Sequence, residues 1–241
     1  MCHDDSSRPP APPVRGPVAR SEALELTAAD GNRFAAHESV PAEQARAAVV
    51  VLPDIRGLHP YYAALTERLA EAGLHAVAFD YFGRTAGVGA RGEDFDWQAH
   101  VPQVTPEQVA TDVAAVQAHL SAAGDLPVFT LGFCFGGGHS WRLSTAGLGL
   151  AGTIGFYGRP QLVEDVDGVA CPVLMLVAGA DHAFPVEQSQ ALADRLRAAG
   201  KQVTIEVFEG APHSFFDRGF ADWAAACDRA WQLIGEFTGG K

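Results

Sequence analysis

Gly132-Phe133-Cys134-Phe135-Gly136 holds the side chain best placed in this sequence for covalent chemistry, a cysteine with glycine two residues away on either side. Val128-Phe129-Thr130-Leu131 before it is a short β-branched and apolar run, the pattern of a buried strand. Ser140-Trp141-Arg142-Leu143 after it reads as a helix. A sharp, strained strand-to-helix turn brings backbone so close to backbone that the flanking positions must lack a Cβ. The spacing is that of a nucleophile elbow with cysteine in place of the commoner serine. Such a turn sets Cys134 at a helix N-terminus, where unpaired N–H groups and the helix dipole favour a thiolate. A small buried thiol at a tight turn is the competing reading, because free cysteine is often buried.

An elbow nucleophile works with an acid and then a histidine that come after it in the chain. Asp181 occupies the loop after the apolar run Pro172–Val177, in Ala178-Gly179-Ala180-Asp181-His182-Ala183-Phe184-Pro185. His213 occupies the loop after Val203–Phe208, in Phe208-Glu209-Gly210-Ala211-Pro212-His213-Ser214-Phe215. The ends of parallel strands share one edge of a sheet, so Cys134, Asp181 and His213 are able to converge despite their separation. Asp181 could instead cap the helix near Pro185, and His213 could be a loop histidine. His139 and His182 compete for the role of base, but neither fits the expected order. The residue after the nucleophile, Phe135, should offer its N–H to an oxyanion, with a second donor from the loop after Val49–Leu52.

The elements needed to hold these residues are legible. Leu24–Thr27 and Phe34–His37 flank the turn signal Ala29-Asp30-Gly31-Asn32 and predict a hairpin. Ala47–Leu52 is continuously apolar, as a strand covered on both faces requires. Tyr61 to Ala72 has helical periodicity and ends at Gly73, and His75–Phe79 is the next strand. Tyr81 to Pro106 is long, glycine- and charge-rich, and suits a lid or pocket wall. Thr105-Pro106-Glu107 opens a helix with an N-cap and proline at the first position. Thr153–Tyr157, Pro172–Val177 and Val203–Phe208 predict further strands, with a helix from Pro185 to Ala199 and a last one from about Asp217 to Phe237. The alternation predicts an α/β architecture with a mostly parallel sheet covered by helices on both faces. Residues 1 to 20 carry Pro9, Pro10, Pro12, Pro13 and Pro17 and read as an extended arm rather than packed structure, with Cys2 as a bystander. Residues 21–241 then form a single domain.

The net charge of −12 argues against nucleic acid or an anionic membrane as partner. The four cysteines form no C-x-x-C pair, so neither zinc nor a disulfide framework is expected. The acidic N-terminus lacks the apolar core of a secretory signal, and no apolar run nears the roughly 20 residues that span a bilayer. A reducing cytoplasm is the expected setting, with a monomer or small homo-oligomer, and no metal or organic cofactor is called for.

Together these residues resemble the dienelactone hydrolases, or carboxymethylenebutenolidases, of the α/β-hydrolase superfamily. Roughly residues 45 to 237 carry the resemblance. Its motifs are Gly132-Phe133-Cys134-Phe135-Gly136-Gly137, Asp181-His182 with Phe184-Pro185 just after, and Gly210-Ala211-Pro212-His213-Ser214-Phe215. The resemblance implies Cys134 as nucleophile, His213 as base and acid, Asp181 as its orienter, and an oxyanion hole from the N–H groups of Phe135 and Ile55. It also implies a carboxylate before the second donor, a glutamate in the family and Asp54 here. It implies two arginines that hold a substrate carboxylate. Arg84 matches the first, whereas the second position is Asp217, with Arg218 one step on. An acid there would repel a carboxylate substrate; Arg56 is a further candidate at the pocket edge. The function expected is a cysteine-dependent hydrolase of a small ester or lactone through an acyl-thioester. The alternatives are an esterase for neutral esters and a non-hydrolytic thiol sensor on the same fold.

Overall fold

The computed structural model describes residues 7–217 and 220–240, so Cys2 and Arg218 lie outside the described residues. Eight strands form one sheet: β1 (Val18–Thr27), β2 (Arg33–Pro41), β3 (Ala47–Leu52), β4 (Leu74–Phe79), β5 (Val128–Phe133), β6 (Gly152–Phe156), β7 (Val173–Ala178) and β8 (Val203–Phe208), in the order β1-β2-β4-β3-β5-β6-β7-β8. β1 pairs antiparallel with β2, and β2 antiparallel with β4. Every pairing from β4 to β8 is parallel. The helices are α1 (Pro60–Glu71), the short α2 (Gly83–Ala86) and α3 (Trp97–His100), α4 (Pro106–Ala123), α5 (Phe135–Leu143), α6 (Val186–Ala198) and α7 (Ala224–Phe237).

The alternation of side chains along each strand sorts the core into two layers. Val49 and Val51 of β3 pack with Tyr61, Tyr62, Leu65 and Leu69 of α1 and with Trp231 and Ile234 of α7. Val50 and Leu52 of the same strand pack the other way, against Val109, Val113, Val116 and Leu120 of α4. Met175 and Val177 of β7 meet Leu192 and Leu196 of α6 on that second face. Being apolar on both sides, β3 to β7 are buried along their whole length. α4 begins as its sequence asks: the Thr105 hydroxyl accepts from the Gln108 N–H while the Gln108 side chain accepts from the Thr105 N–H.

Three expectations are corrected. The hairpin runs much longer than its apolar centre, because the outer parts of β1 are exposed and carry no hydrophobic pattern. The last helix begins at Ala224 rather than near Asp217. Upstream of it the chain is still turning: Ser214 has a φ of +66°, and the Phe215 and Asp217 N–H groups donate to Pro212 O and Ser214 O at 3.2 Å each. The proline-rich segment, finally, is packed. Pro9, Pro10 and Pro12 are buried, Trp231 Nε1 donates to Pro10 O (3.3 Å), and Gly16 N–H donates to Glu71 O (2.7 Å). Its lack of periodicity conceals this, since a polyproline-like strand docks through ring surfaces and carbonyls rather than through a repeating stripe.

Removing residues 1–17 should therefore lower stability by about 1–3 kcal/mol, the scale of uncovering one or two apolar side chains. The urea midpoint of the truncated chain reports this, and an unchanged midpoint would show that the docking contributes nothing.

Candidate active site

The parallel strands end on one edge of the sheet, and the loops after β3, β5, β7 and β8 carry the predicted site residues other than Arg84, which follows β4. At the tip of β5, Cys134 has φ +53° and ψ −110°, a conformation that costs a non-glycine residue about 1–3 kcal/mol. Neighbouring strands hold it there. The Cys134 N–H donates to Phe156 O (3.1 Å), Gly136 N–H to Pro53 O (3.1 Å) and Gly138 N–H to Cys134 O (3.2 Å). The two flanking glycines are required by contact. A Cβ on Gly132 would stand 2.0 Å from Gly136 O, and one on Gly136 would stand 2.2 Å from Leu52 O. Behind the elbow, Ser140 Oγ donates to Ile154 O (2.7 Å) and Trp141 Nε1 to Leu174 O (3.1 Å), which pins α5 across β6 and β7.

Asp181 and His213 meet. His213 Nδ1 lies 2.7 Å from Asp181 Oδ2. An ionised carboxylate only accepts, so Nδ1 carries the proton and Nε2 is left as the basic nitrogen. The other oxygen, Oδ1, accepts from the N–H groups of Ala183 (2.8 Å) and Phe184 (3.1 Å), while Pro185 at the start of α6 makes no side-chain cap. Asp181 thus fixes its own loop and the imidazole at once. The two loops are also tied through backbone, Gly179 N–H to Phe208 O (2.9 Å) and Ala180 N–H to Ala211 O (2.8 Å). Burial by itself would raise the Asp181 carboxyl, but the His213 hydrogen bond and charge and the two backbone donors outweigh it and hold it below the ordinary carboxylate range. The imidazole packs against Tyr157 and Phe184, with ring centroids 4.8 and 5.9 Å away. Cys134 is half-buried beside the same core layer as Phe215 and Phe216, and its thiol makes no hydrogen bond among the described residues.

The competing histidines stand apart from this pair. His139 is buried against the Phe135 ring (4.5 Å); burial, with the nearby Arg142 charge, pushes its pKa down to about 4. His182 is exposed.

Ile55 lies in the turn after β3, beside the first turn of α5. As the first residue of α5, Phe135 has an N–H with no intrahelical acceptor. Among the described residues neither the Phe135 nor the Ile55 N–H is bonded to a protein acceptor. Asp54 is fully buried, and its Oδ1 accepts from the Arg56 N–H (2.9 Å). Arg56 is itself buried, with Nε 3.6 Å from Asp54 Oδ2.

Arg84 is not part of this assembly. Its guanidinium grips Asp112 through Nη1 and Nη2 (2.6 and 2.9 Å) and Asp30 through Nη2 and Nε (2.6 and 3.1 Å). It lines a surface cleft with Asn32, Gly83 and Val88. A bidentate pair with one carboxylate and a second carboxylate beside it take four of the five N–H donors of this guanidinium. The expectation for Asp217 is corrected as well. It is buried with Oδ2 at 3.3 Å from the Tyr157 hydroxyl, so it is a structural acid and not a repulsive charge facing substrate. The region after β4 instead buries Arg91, which pairs with Asp80 (2.9 Å) and lies 4.6 Å over the Phe95 ring. Sequence reasoning passed over Tyr62, Tyr81 and Tyr157; the last two stand just past the ends of β4 and β6, and that placement was the signal available.

The pattern of the dienelactone hydrolase family matches residues 34–239. The chain belongs to the dienelactone hydrolase family. A relative from Saccharolobus solfataricus, named "Putative carboxymethylenebutenolidase", is 28% identical over 86% of this chain and 94% of its own. Among solved structures, one titled "Putative Dienelactone Hydrolase" from Klebsiella pneumoniae subsp. pneumoniae superposes with a TM-score of 0.79 at 24% identity, covering 92% of this chain and all of that one. A dienelactone hydrolase-like promiscuous phosphotriesterase from metagenomic libraries gives 0.76 at 23% identity over 91% and 98% of the two chains. At these identities the structural likeness establishes the α/β-hydrolase fold, and the family match covers the whole sheet from β2 onward.

Two outcomes are expected from this geometry. Gly136→Ala should destabilise the protein by several kcal/mol, because the new methyl has only backbone to displace; the denaturation midpoint measures this. The depressed Asp181 carboxyl contributes stability that is complete above the unfolded value of about 4 and is lost as pH falls through the folded value. The stability gap between the wild type and Asp181→Asn should therefore shrink as pH falls below about 4 in urea titrations.

Proposed function

We propose that the chain hydrolyses a small carboxylic ester or lactone through an acyl-thioester on Cys134, with His213 as base and acid and Asp181 orienting it. What carries the reading is the 2.7 Å Asp181–His213 pair on the same sheet edge as the strained Cys134 elbow. The Cys134 thiolate attacks the carbonyl carbon, and the oxyanion that forms is met by the N–H groups of Ile55 and Phe135. Collapse breaks the carbon–oxygen bond, and the leaving oxygen takes a proton from the His213 imidazolium. His213 Nε2 then removes a proton from water, which attacks the thioester and releases the acid and the thiolate. In a lactone the leaving oxygen remains on the product. Ionised Asp181 holds the imidazole in the required tautomer and favours the imidazolium.

A neutral substrate is favoured over one bearing a carboxylate, because Arg84 is already paired with Asp112 and Asp30. A bidentate grip by Arg84 on a substrate carboxylate would require one of these acids to be displaced.

Turnover of an aryl ester or enol-lactone should fall about a thousandfold or more in Cys134→Ala and in His213→Ala, and by a comparable order in Asp181→Asn. Full activity of Cys134→Ala would refute the mechanism. Arg84→Ala should alter a carboxylate-bearing lactone and its neutral analogue to the same extent. A selective rise in KM for the charged one would refute the preference for neutral substrates.

A further inference from the structure

Two buried phenols converge on one peptide unit next to the oxyanion donors. The carbonyl of that unit, Pro53 O, accepts from the Tyr81 hydroxyl (2.9 Å) and from Gly136 N–H (3.1 Å). Its N–H, on Asp54, donates to the Tyr62 hydroxyl (2.9 Å). Tyr62 is fully buried and Tyr81 nearly so, at 3% exposure. The peptide plane is thus gripped at both ends, and both lone pairs of its carbonyl are used. The next peptide joins Asp54 to Ile55, and its carbonyl accepts from Gly57 N–H (3.2 Å). In a trans peptide the N–H points opposite to the C=O, so this bond directs the Ile55 N–H away from the turn.

We propose that Tyr81 and Tyr62 are positioning residues for the oxyanion hole, locking the Pro53–Asp54 peptide so that the Ile55 N–H is held at a fixed separation from the Phe135 N–H. This rests on the proposed acyl transfer at Cys134. Pro53 O is the hinge of the arrangement. It joins the turn that carries Ile55 to Gly136, the residue directly after Phe135, so one carbonyl sets the relation between the two donors. The Tyr81 ring reinforces this by standing edge-on to the Phe135 ring at 5.3 Å. Burial, then the charges at Asp54, Asp80 and Cys134, push ionisation of Tyr81 well above its ordinary range, so its O–H remains a donor at any working pH. Oxyanion donors act by being aimed before the charge develops, and a small misplacement weakens them steeply.

Tyr81→Phe and Tyr62→Phe remove one hydroxyl each and leave the packed rings in place. The readouts are kcat and KM for an oxygen ester, the rate ratio of that ester to its thiono (C=S) counterpart, and the rate of Cys134 alkylation by iodoacetamide. Alkylation needs the thiol but not the oxyanion hole. Each variant should lose about 10- to 100-fold in kcat on the oxygen ester, within the range for a weakened oxyanion donor. KM and alkylation should stay within about 2-fold, and the oxygen-to-sulfur preference should fall. An unchanged kcat and ratio in both variants would overturn the proposal. A parallel fall of kcat and alkylation would also overturn it, by showing that the phenols act on the thiol or the fold. If Cys134→Ala keeps its turnover, the underlying acyl-transfer reading fails, and that result is separate from either of the others.

Discussion

The first turn of α5 approaches the end of β3 so closely that a Cβ on Gly136 would meet both Leu52 O (2.2 Å) and Pro53 O (2.3 Å). That contact is possible only between bare backbones, and most of the site depends on it. It allows Gly136 N–H to bond Pro53 O, which joins the turn carrying Ile55 to the helix carrying Phe135. It forces the chain to reverse over one residue, leaving Cys134 at positive φ. The cost of that conformation, about 1–3 kcal/mol, falls on an elbow wedged among β3, β5 and β6, where the surrounding bonds over-determine it.

The histidine side is built on the opposite principle. The segments after β7 and β8 are longer and irregular, and they are stabilised by one another: backbone bonds tie Gly179 to Phe208 and Ala180 to Ala211, and Asp181 closes the join. Ser214 at φ +66° and the buried Phe215 and Phe216 then anchor the chain just past His213. Tyr61 Oη donates to Phe216 O (3.1 Å), carrying that anchor across to α1. A rigidly held cysteine thus shares the sheet edge with a histidine whose place is fixed by pairing between loops. Tyr157, at φ +35° and bonded to the buried Asp217, forms one wall beside the imidazole.

The acids and arginines around this framework show that position along the chain does not fix which partner a charge finds. Arg84 sits just after the strand-end segment Asp80-Tyr81-Phe82-Gly83, a plausible place for a substrate clamp, yet its guanidinium is held by acids from the hairpin turn and α4. Asp217 reads as a repulsive pocket acid, yet it is buried on a tyrosine. A buried charge goes where it finds a partner, and the partners here come from segments distant in sequence, Asp30 and Asp112 for Arg84 and Tyr157 for Asp217.

The chain by itself marked out most of the strands and the long helices. Doubly apolar runs read as strands covered on both faces, Thr105-Pro106-Glu107 as a helix start, and a glycine on each side of Cys134 as a tight turn. These are short-range constraints of sterics, hydrogen bonding and periodicity, and they are written in adjacent residues. Tertiary structure alone decided that the proline-rich segment docks under Trp231, that the last helix begins only at Ala224, and that Arg84 is already paired. It alone also showed two phenols, Tyr62 and Tyr81, meeting on one peptide. Each of these depends on which distant atoms come within about 3 Å once the sheet has ordered its strands, and no spacing along the chain encodes that.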